Sequence, residues 1–472
     1  METAKLYIGS SQIEKSECLT IKSPYSGKEV SSYPVCSVED AEETLKVAQK
    51  STKEAKRSTI AQRCNWLLDV ASKLRENRED IAKTITDEVG KPIAFSRVEV
   101  DRCVETITLS AETMRTMHGE TINTDAMDSG RKTTAFFKRV PVGVVVAITP
   151  FNFPLNLVAH KIAPALVAGN SVVLKPTPEA PLTAYKLAKL FIDSKYAVKD
   201  ALSIIYGDAD VGGALVSSDI PRVISFTGSV PVGNIITKNA GIKKVSLELG
   251  GNAATYIDNT ADLSYSASRC VVGAFTNSGQ VCISLQRIYV NREVYDDFAN
   301  EMAKEVKKLV VGDPYSDDTF MGPLINGESV ERAENWLKSA INEGAKPLTE
   351  IKSEGRVLNP VVMANVTDDM AIVCEEVFAP IVSLVAVDSL NEAISKMNDS
   401  PYGLQFSIFT NDLKNAQYFM EEADAGGVVI NDIPTLRFDI QPYGGIKLSG
   451  VGREGPKFAI EEFTEIKSIV IS

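Results

Sequence analysis

The stretch VPVGVVVAITPFNFPLNLVAH, Val140–His160, decides how the chain folds. It carries no charged side chain, and a run of this length can cross a bilayer as a helix. Three prolines, a glycine and two asparagines argue against that, because each proline removes a backbone donor and breaks helical geometry. The β-branched run GVVVAI, Gly143–Ile148, reads instead as a buried strand that ends in an irregular loop. Downstream come a helix around 157–168, the strand SVVLK, a helix around 182–195, the strands SIIYG and VISFTGS, a helix from Val230, and the strand KVSLEL. Strands separated by helical stretches of this length predict a parallel, doubly wound α/β sheet. Upstream, 38–88 reads as mostly helical and amphipathic, 95–117 as a further helix and 133–140 as extended chain. The alternation resumes after Asp262 and runs to about Ser449, and the final EIKSIVIS reads as a strand.

A chain of 472 residues is too long for one core and predicts more than one domain. With 44% hydrophobic and 24% charged residues, its composition is that of an ordinary globular protein. The net charge of −12 disfavours nucleic acid and anionic membranes as partners, and leaves room for a small anionic ligand held by a local arginine pocket. The N-terminus lacks the basic start and apolar core of a signal peptide. The seven cysteines are scattered and form no C-x-x-C, which argues against a disulfide framework or a structural zinc and fits a reducing cytoplasm. With only His118 and His160, no multi-histidine metal site is expected, and a nucleophile must work without a histidine base.

The one literal G-x-G-x-x-G, Gly450, Gly452 and Gly455, stands too close to the C-terminus to be followed by a fingerprint acid, and reads as a tight loop. FTGSVPVGNIITKNA is the better anion site. Val223, Ile224 and Phe226 form a strand, Gly228 opens the turn, Ser229 can cap a helix, Pro231 suits its first turn, and Gly233 lets it pack closely. The open N–H groups of such a helix suit a pyrophosphate, although strand–turn–helix connections are common and this one says little alone. In TNSGQVCISLQ, Thr276–Gln286, Cys282 stands at the edge of a Gly-Gln turn among polar residues. Cys64, Cys103, Cys270 and Cys374 lie among apolar neighbours and read as small buried hydrophobes.

TPFNFPLNL, VVLKPTPEAP, SFTGSVPVG, LELGG, NSGQVCIS, EEVFAPI, PYGLQFSIFT and QPYGGIKLSGVGREG occur in this order and span nearly the whole chain. The chain thereby resembles the NAD(P)-dependent aldehyde dehydrogenase superfamily. TPFNFPLNLVAHKIAPALVAGN and VVINDIPTLRFD look most like its lactaldehyde and non-phosphorylating glyceraldehyde-3-phosphate dehydrogenase branch. The resemblance implies two interleaved doubly wound parallel-sheet domains: a Rossmann-like cofactor domain over 1–119 and 140–249, and a catalytic domain over 250–455. It also implies a small β oligomerisation arm from 120–139 and 456–472. The apolar SIVI in that arm needs a partner edge, so a homodimer or homotetramer is expected.

By the same resemblance Cys282 is the nucleophile, which explains its place in a turn. Asn152 and the Cys282 N–H would stabilise the oxyanion. Glu248, at the end of an apolar strand, would activate water, which favours release of a free acid over transfer to coenzyme A. The resemblance places NAD or NADP along Thr149, Pro150, Phe151, Lys175, Thr177, Pro178, Glu179, Gly228, Ser229, Gly233, Leu249, Gly250, Glu376 and Phe378. Many NAD-preferring relatives carry glutamate three residues after the lysine. Here Pro178 stands in that place and Glu179 one later, which leaves the choice of cofactor open. For the substrate, Arg102 and Arg437 could hold an anionic tail, or pair with Glu99 or Glu105 and with Asp439 respectively. Val281 and Ile283 flank Cys282 with a small apolar wall that, with Asn152, suits a short aldehyde. A lactaldehyde-like 2-hydroxyaldehyde, with or without a 3-phospho or 3-sulfo group, is expected, and succinic or a related semialdehyde is the alternative. A binding protein of this fold would be free to lose Cys282, Glu248 and Asn152, yet all three are present.

Overall fold

The computed structural model describes residues Met1–Ser472. Val144–Ile148 is a strand, and Asn156–Val167 is a helix buried at every position. A helix buried on every side belongs in a core, and no helix of the protein is long and apolar enough to cross a membrane. The strand lies in an eight-stranded sheet whose order runs Gly450–Val451, Lys244–Glu248, Val223–Thr227, Val144–Ile148, Ser171–Lys175, Leu202–Ile204, Leu6–Ile8, Ser11–Ile13. The five central strands are parallel and the outer ones antiparallel. Helices on both faces bury these strands, so SVVLK is buried throughout.

From Val144–Ile148 the chain first winds to one side, through Ser171–Lys175 and Leu202–Ile204. It then returns to the other side, through Val223–Thr227 and Lys244–Glu248. The reversal opens a crevice at the carboxyl ends of Val144–Ile148 and Val223–Thr227, where ligands bind in sheets of this kind. A second sheet runs Lys346–Pro347, Val361–Ala364, Ile381–Val387, Leu285–Asn291, Ala253–Ile257, Gln405–Phe409, Gly427–Ile430, parallel except at its first strand. A third, three-stranded sheet pairs Thr464–Ile471 with Thr134–Pro141, and the latter with Thr121–Asn123. Ile466, Val470 and Ile471 are exposed on it.

After the second sheet is complete, the chain returns to the first. Leu247 and Glu248 pair with Val451 and Gly450, and a Cβ at Gly450 would stand 2.0 Å from the Leu247 carbonyl oxygen. The glycines of SGVGREG thus let the chain lie against the strand that carries Glu248. One reading needs correction. Cys64, Cys103 and Cys270 are buried, but Cys374 is exposed, because it ends a one-turn helix, Ala371–Cys374, whose Ile372 and Val373 take the inward positions.

Candidate active site

Between the two large sheets lies a cavity of about 750 Å³. Every predicted catalytic and substrate residue lines it: Cys282, Glu248, Asn152, Arg102, Val281, Ile283 and Arg437. So do all the predicted cofactor residues except Thr149, Lys175 and Gly233. Those three are buried just behind the wall, with Gly233 packed under Leu249.

Cys282 follows the helix Leu263–Phe275 and a tight reversal. Asn277, Ser278 and Gly279 all have positive φ, of 52°, 57° and 72°. For Asn and Ser this costs about 1–2 kcal/mol each. The reversal is forced by close packing, since a Cβ at Gly279 would stand 2.2 Å from the Ala379 carbonyl oxygen. It sets Cys282 partly open to the cavity, in a small apolar cluster of Val281, Ile283, Leu404, Tyr443 and Phe153. The sulfur lies 3.0 Å from the Tyr443 hydroxyl. Burial pushes the thiol up to about 12, against the pull of the Tyr443 hydrogen bond and of Arg437.

Asn152 Nδ2 donates to the Gln280 carbonyl at 3.0 Å, and its Oδ1 accepts from the Phe153 N–H at 3.1 Å. These bonds fix which way the amide faces, and one N–H of Asn152 remains to reach a ligand. Glu248 ends its strand buried, and neither carboxylate oxygen has a hydrogen-bond partner. Burial, reinforced by Glu454, holds this carboxyl well above the usual carboxylate range. The arrangement can place a thiolate, an amide donor and a proton acceptor around one small carbonyl compound.

Behind Glu248 lies a charged cluster that sequence reasoning missed in part. Lys161 Nζ meets Glu454 at 3.1 Å, and Arg437 Nη2 meets the same carboxylate at 3.2 Å. Burial opposes ionisation of Glu454, but Lys161, His160 and Arg437 bring it down to about 2. Arg102 pairs with neither Glu99 nor Glu105. It forms a two-pronged bond to Asp439 at 2.9 and 2.7 Å, and His160 and Arg437 also face that carboxylate. Glu99 instead meets buried Lys91 and accepts from the Leu155 and Asn156 N–H groups, which anchors the end of the loop that carries Asn152. Lys161 carried a legible signal, a lone lysine in the apolar run VAHKIAPALV, whereas Asp439 and Glu454 look like ordinary loop acids.

At the other end of the cavity the helix Val230–Ala240 begins at Ser229 with no side-chain cap. Thr149 Oγ1 and Thr227 Oγ1 are buried and unpartnered close by. Uncapped helix amides and idle hydroxyls at a sheet switch point fit a dinucleotide. Glu179 lines the cavity, accepts from Thr177 and faces Lys175, whose ammonium burial disfavours while Glu179 and Asp208 sustain it. Glu376 accepts from the Gly251 N–H at 3.0 Å, and burial raises it to about 7. Phe378, at φ 48°, meets Phe151 edge-on at 6.0 Å.

The aldehyde dehydrogenase family profile matches residues 11–469. A 3-sulfolactaldehyde dehydrogenase of Priestia aryabhattai is 42% identical over 470 residues, covering 99% of this chain and 98% of its own. Among solved structures, the aldehyde dehydrogenase ALDH21 of Physcomitrella patens, in complex with the reaction product succinate, superposes with a TM-score of 0.97. It is 35% identical, over 100% of this chain and 98% of its own. The NADP-dependent glyceraldehyde-3-phosphate dehydrogenase of Bacillus halodurans C-125, complexed with NADP, also has a TM-score of 0.97. It is 34% identical, over 100% of this chain and 99% of its own. A thiol, a buried carboxylate and an amide around one cavity, the open dinucleotide crevice and these full-length matches lead to one conclusion: the chain belongs to the aldehyde dehydrogenase family, as an oxidoreductase acting on the aldehyde group with NAD or NADP as acceptor.

Proposed function

We propose that the protein oxidises a short 2-hydroxyaldehyde with an anionic group at C3 to the free acid, by way of a thioester on Cys282. The observation that carries the substrate reading is the charge balance of the cluster. Lys91 is matched by Glu99 and Arg102 by Asp439, while Glu454 alone faces both Lys161 and Arg437. Burial disfavours the charged form of Glu248, so three carboxylates face the four cations; Arg437 Nε, 4.0 Å from Asp439, donates no hydrogen bond, and Arg102 is 27% exposed. A sulfonate or phosphate tail supplies the missing anion. The Priestia relative's sulfonated substrate supports the same reading.

The Cys282 thiolate adds to the aldehyde carbon, and Asn152 with the Cys282 N–H holds the oxyanion. When bound, the nicotinamide supplies a hydride acceptor. Glu248 then takes a proton from water, which attacks the thioester and frees the acid. Thr149, Thr227 and the Val230–Ala240 helix would hold the dinucleotide phosphates and ribose, and Glu376 with Phe378 the nicotinamide end. Glu179 beside Lys175 supports NAD over NADP, because a carboxylate there repels a 2′-phosphate. The segments 1–119 with 140–249 serve as cofactor domain, 250–455 as catalytic domain, and 120–139 with 456–472 as the oligomerisation arm. The exposed Ile466, Val470 and Ile471 suit a homodimer or homotetramer, and the free cysteines suit a reducing cytoplasm.

The test is NADH and NADPH formation with lactaldehyde, 3-sulfolactaldehyde, glyceraldehyde 3-phosphate and succinic semialdehyde, with Cys282→Ala as control. A higher kcat/KM for the anionic hydroxyaldehydes, lost in Arg102→Gln, supports the proposal. A preference for succinic semialdehyde replaces it with the second reading, which the succinate complex of the Physcomitrella relative favours.

A further inference from the structure

We propose that Tyr443 is a catalytic residue whose phenol O–H donates a hydrogen bond to the Cys282 thiolate, making the nucleophile easier to ionise and aiming it. The inference rests on Cys282 being the nucleophile and goes beyond that reading by naming what sustains the thiolate.

The sulfur needs such a donor. Its neighbours Val281, Ile283, Leu404 and Phe153 are apolar and leave it only partly open to the cavity, so burial pushes the thiol strongly upward. The Tyr443 hydroxyl, at 3.0 Å, is the polar side-chain group in hydrogen-bond contact with the sulfur. In the thiol form either group can donate. Once the thiol proton has left to solvent the sulfur can only accept, and the bond becomes charge-assisted.

The phenol is also held in place. The Tyr443 N–H donates to the Glu454 carbonyl at 3.1 Å, and the Glu454 N–H returns a bond to the Tyr443 carbonyl at 2.7 Å. The Arg437 guanidinium lies 3.6 Å from the centre of the ring, and its Nη2 is tied to the Glu454 carboxylate at 3.2 Å. Ring, backbone and guanidinium form one rigid unit that ends at the sulfur. Burial likewise raises the Tyr443 phenol well above its usual range, which opposes loss of the proton it donates.

The test reads the thiolate directly. The whole enzyme, without cofactor, is alkylated with iodoacetamide across a pH series, and modification of Cys282 is followed by peptide mass spectrometry. That separates it from the exposed Cys18 and Cys374. In Tyr443→Phe, which keeps the ring under Arg437, the inflection should rise by about one pH unit. Below the inflection, alkylation should then be about tenfold slower at each pH. A residue that only fills space would leave the profile in place, and coincident profiles overturn the proposal. If Tyr443→Phe does not fold, 3-fluorotyrosine at 443 decides. Its more acidic phenol donates more strongly and should move the inflection down, and an unmoved inflection is equally fatal. Full turnover in Cys282→Ala would instead refute the role of Cys282, a result distinct from failure of the tyrosine.

Discussion

Two glutamates in this protein are equally hidden and oppositely treated. Glu88 accepts from Ser31, from the Leu182 and Thr183 N–H groups and from the Thr183 hydroxyl, at 2.6 to 2.9 Å. It ties the start of the helix Pro181–Ile192 to the rest of the core. Glu248 accepts from nothing. Burial raises both carboxyls, but at Glu88 four donors oppose the rise, while at Glu248 the neighbouring Glu454 adds to it. A buried carboxylate with every lone pair used is a structural joint. One left with its lone pairs free is a group waiting for a proton or a water.

The strongest way to break this contrast is Glu248→Gln. Turnover should fall about 10²–10⁴-fold, with acyl-enzyme accumulating in a rapid-mixing experiment. The melting temperature should hold or rise, because an unpaired acid has been removed. Asn152→Ala should lower kcat by about 10²–10³-fold. Glu88→Ala should do the reverse. Orphaned N–H groups should cost about 2–5 kcal/mol in denaturant unfolding, with kcat per folded molecule unchanged. A large loss of kcat there would sink the distinction.

The pH dependence sharpens the comparison. Water activation by Glu248 should rise with pH as its raised carboxyl loses its proton. For stability, Glu376 is raised to about 7 in the folded chain. Its contribution is full below its ordinary 4.5 and is lost as pH rises through about 7. Glu454 runs the other way: its contribution stands above 4.5 and is lost as pH falls through about 2. Melts across pH in Glu376→Gln and Glu454→Gln should flatten opposite limbs. The smallest effect separates two threonines. Thr183→Val should cost about 1 kcal/mol, because it removes a bond to Glu88, whereas Thr227→Val should stay within about 0.5 kcal/mol and raise the KM for cofactor.

Much of this was legible in the sequence. Gly143–Ile148 and SVVLK read as strands because parallel strands covered on both faces are continuously apolar. Cys282 stood out as a cysteine in a polar turn, the family resemblance pointed to Glu248 and Asn152, and the structure brings all three to one cavity. What stayed hidden were partnerships across long sequence separations. Arg102 read either as an anchor for an anionic tail or as paired along its own helix, and only the tertiary fold sets it against Asp439. Glu454 sat inside a glycine motif whose spacing drew attention elsewhere. The Cys374 reading failed for a local reason: apolar neighbours do not bury the last residue of a single helical turn.

The return of Gly450–Val451 to the first sheet has a consequence for how the enzyme is made. Tyr443 and Glu454, which close the cavity around Cys282 and Glu248, come late in the chain, Tyr443 161 residues after Cys282. A nascent chain that already carries the cysteine therefore lacks the cavity until Tyr443 and Glu454 have also been made. Fragments that end before this return should be inert, and adding the missing C-terminal piece in trans should restore the site only by joining it to both sheets at once.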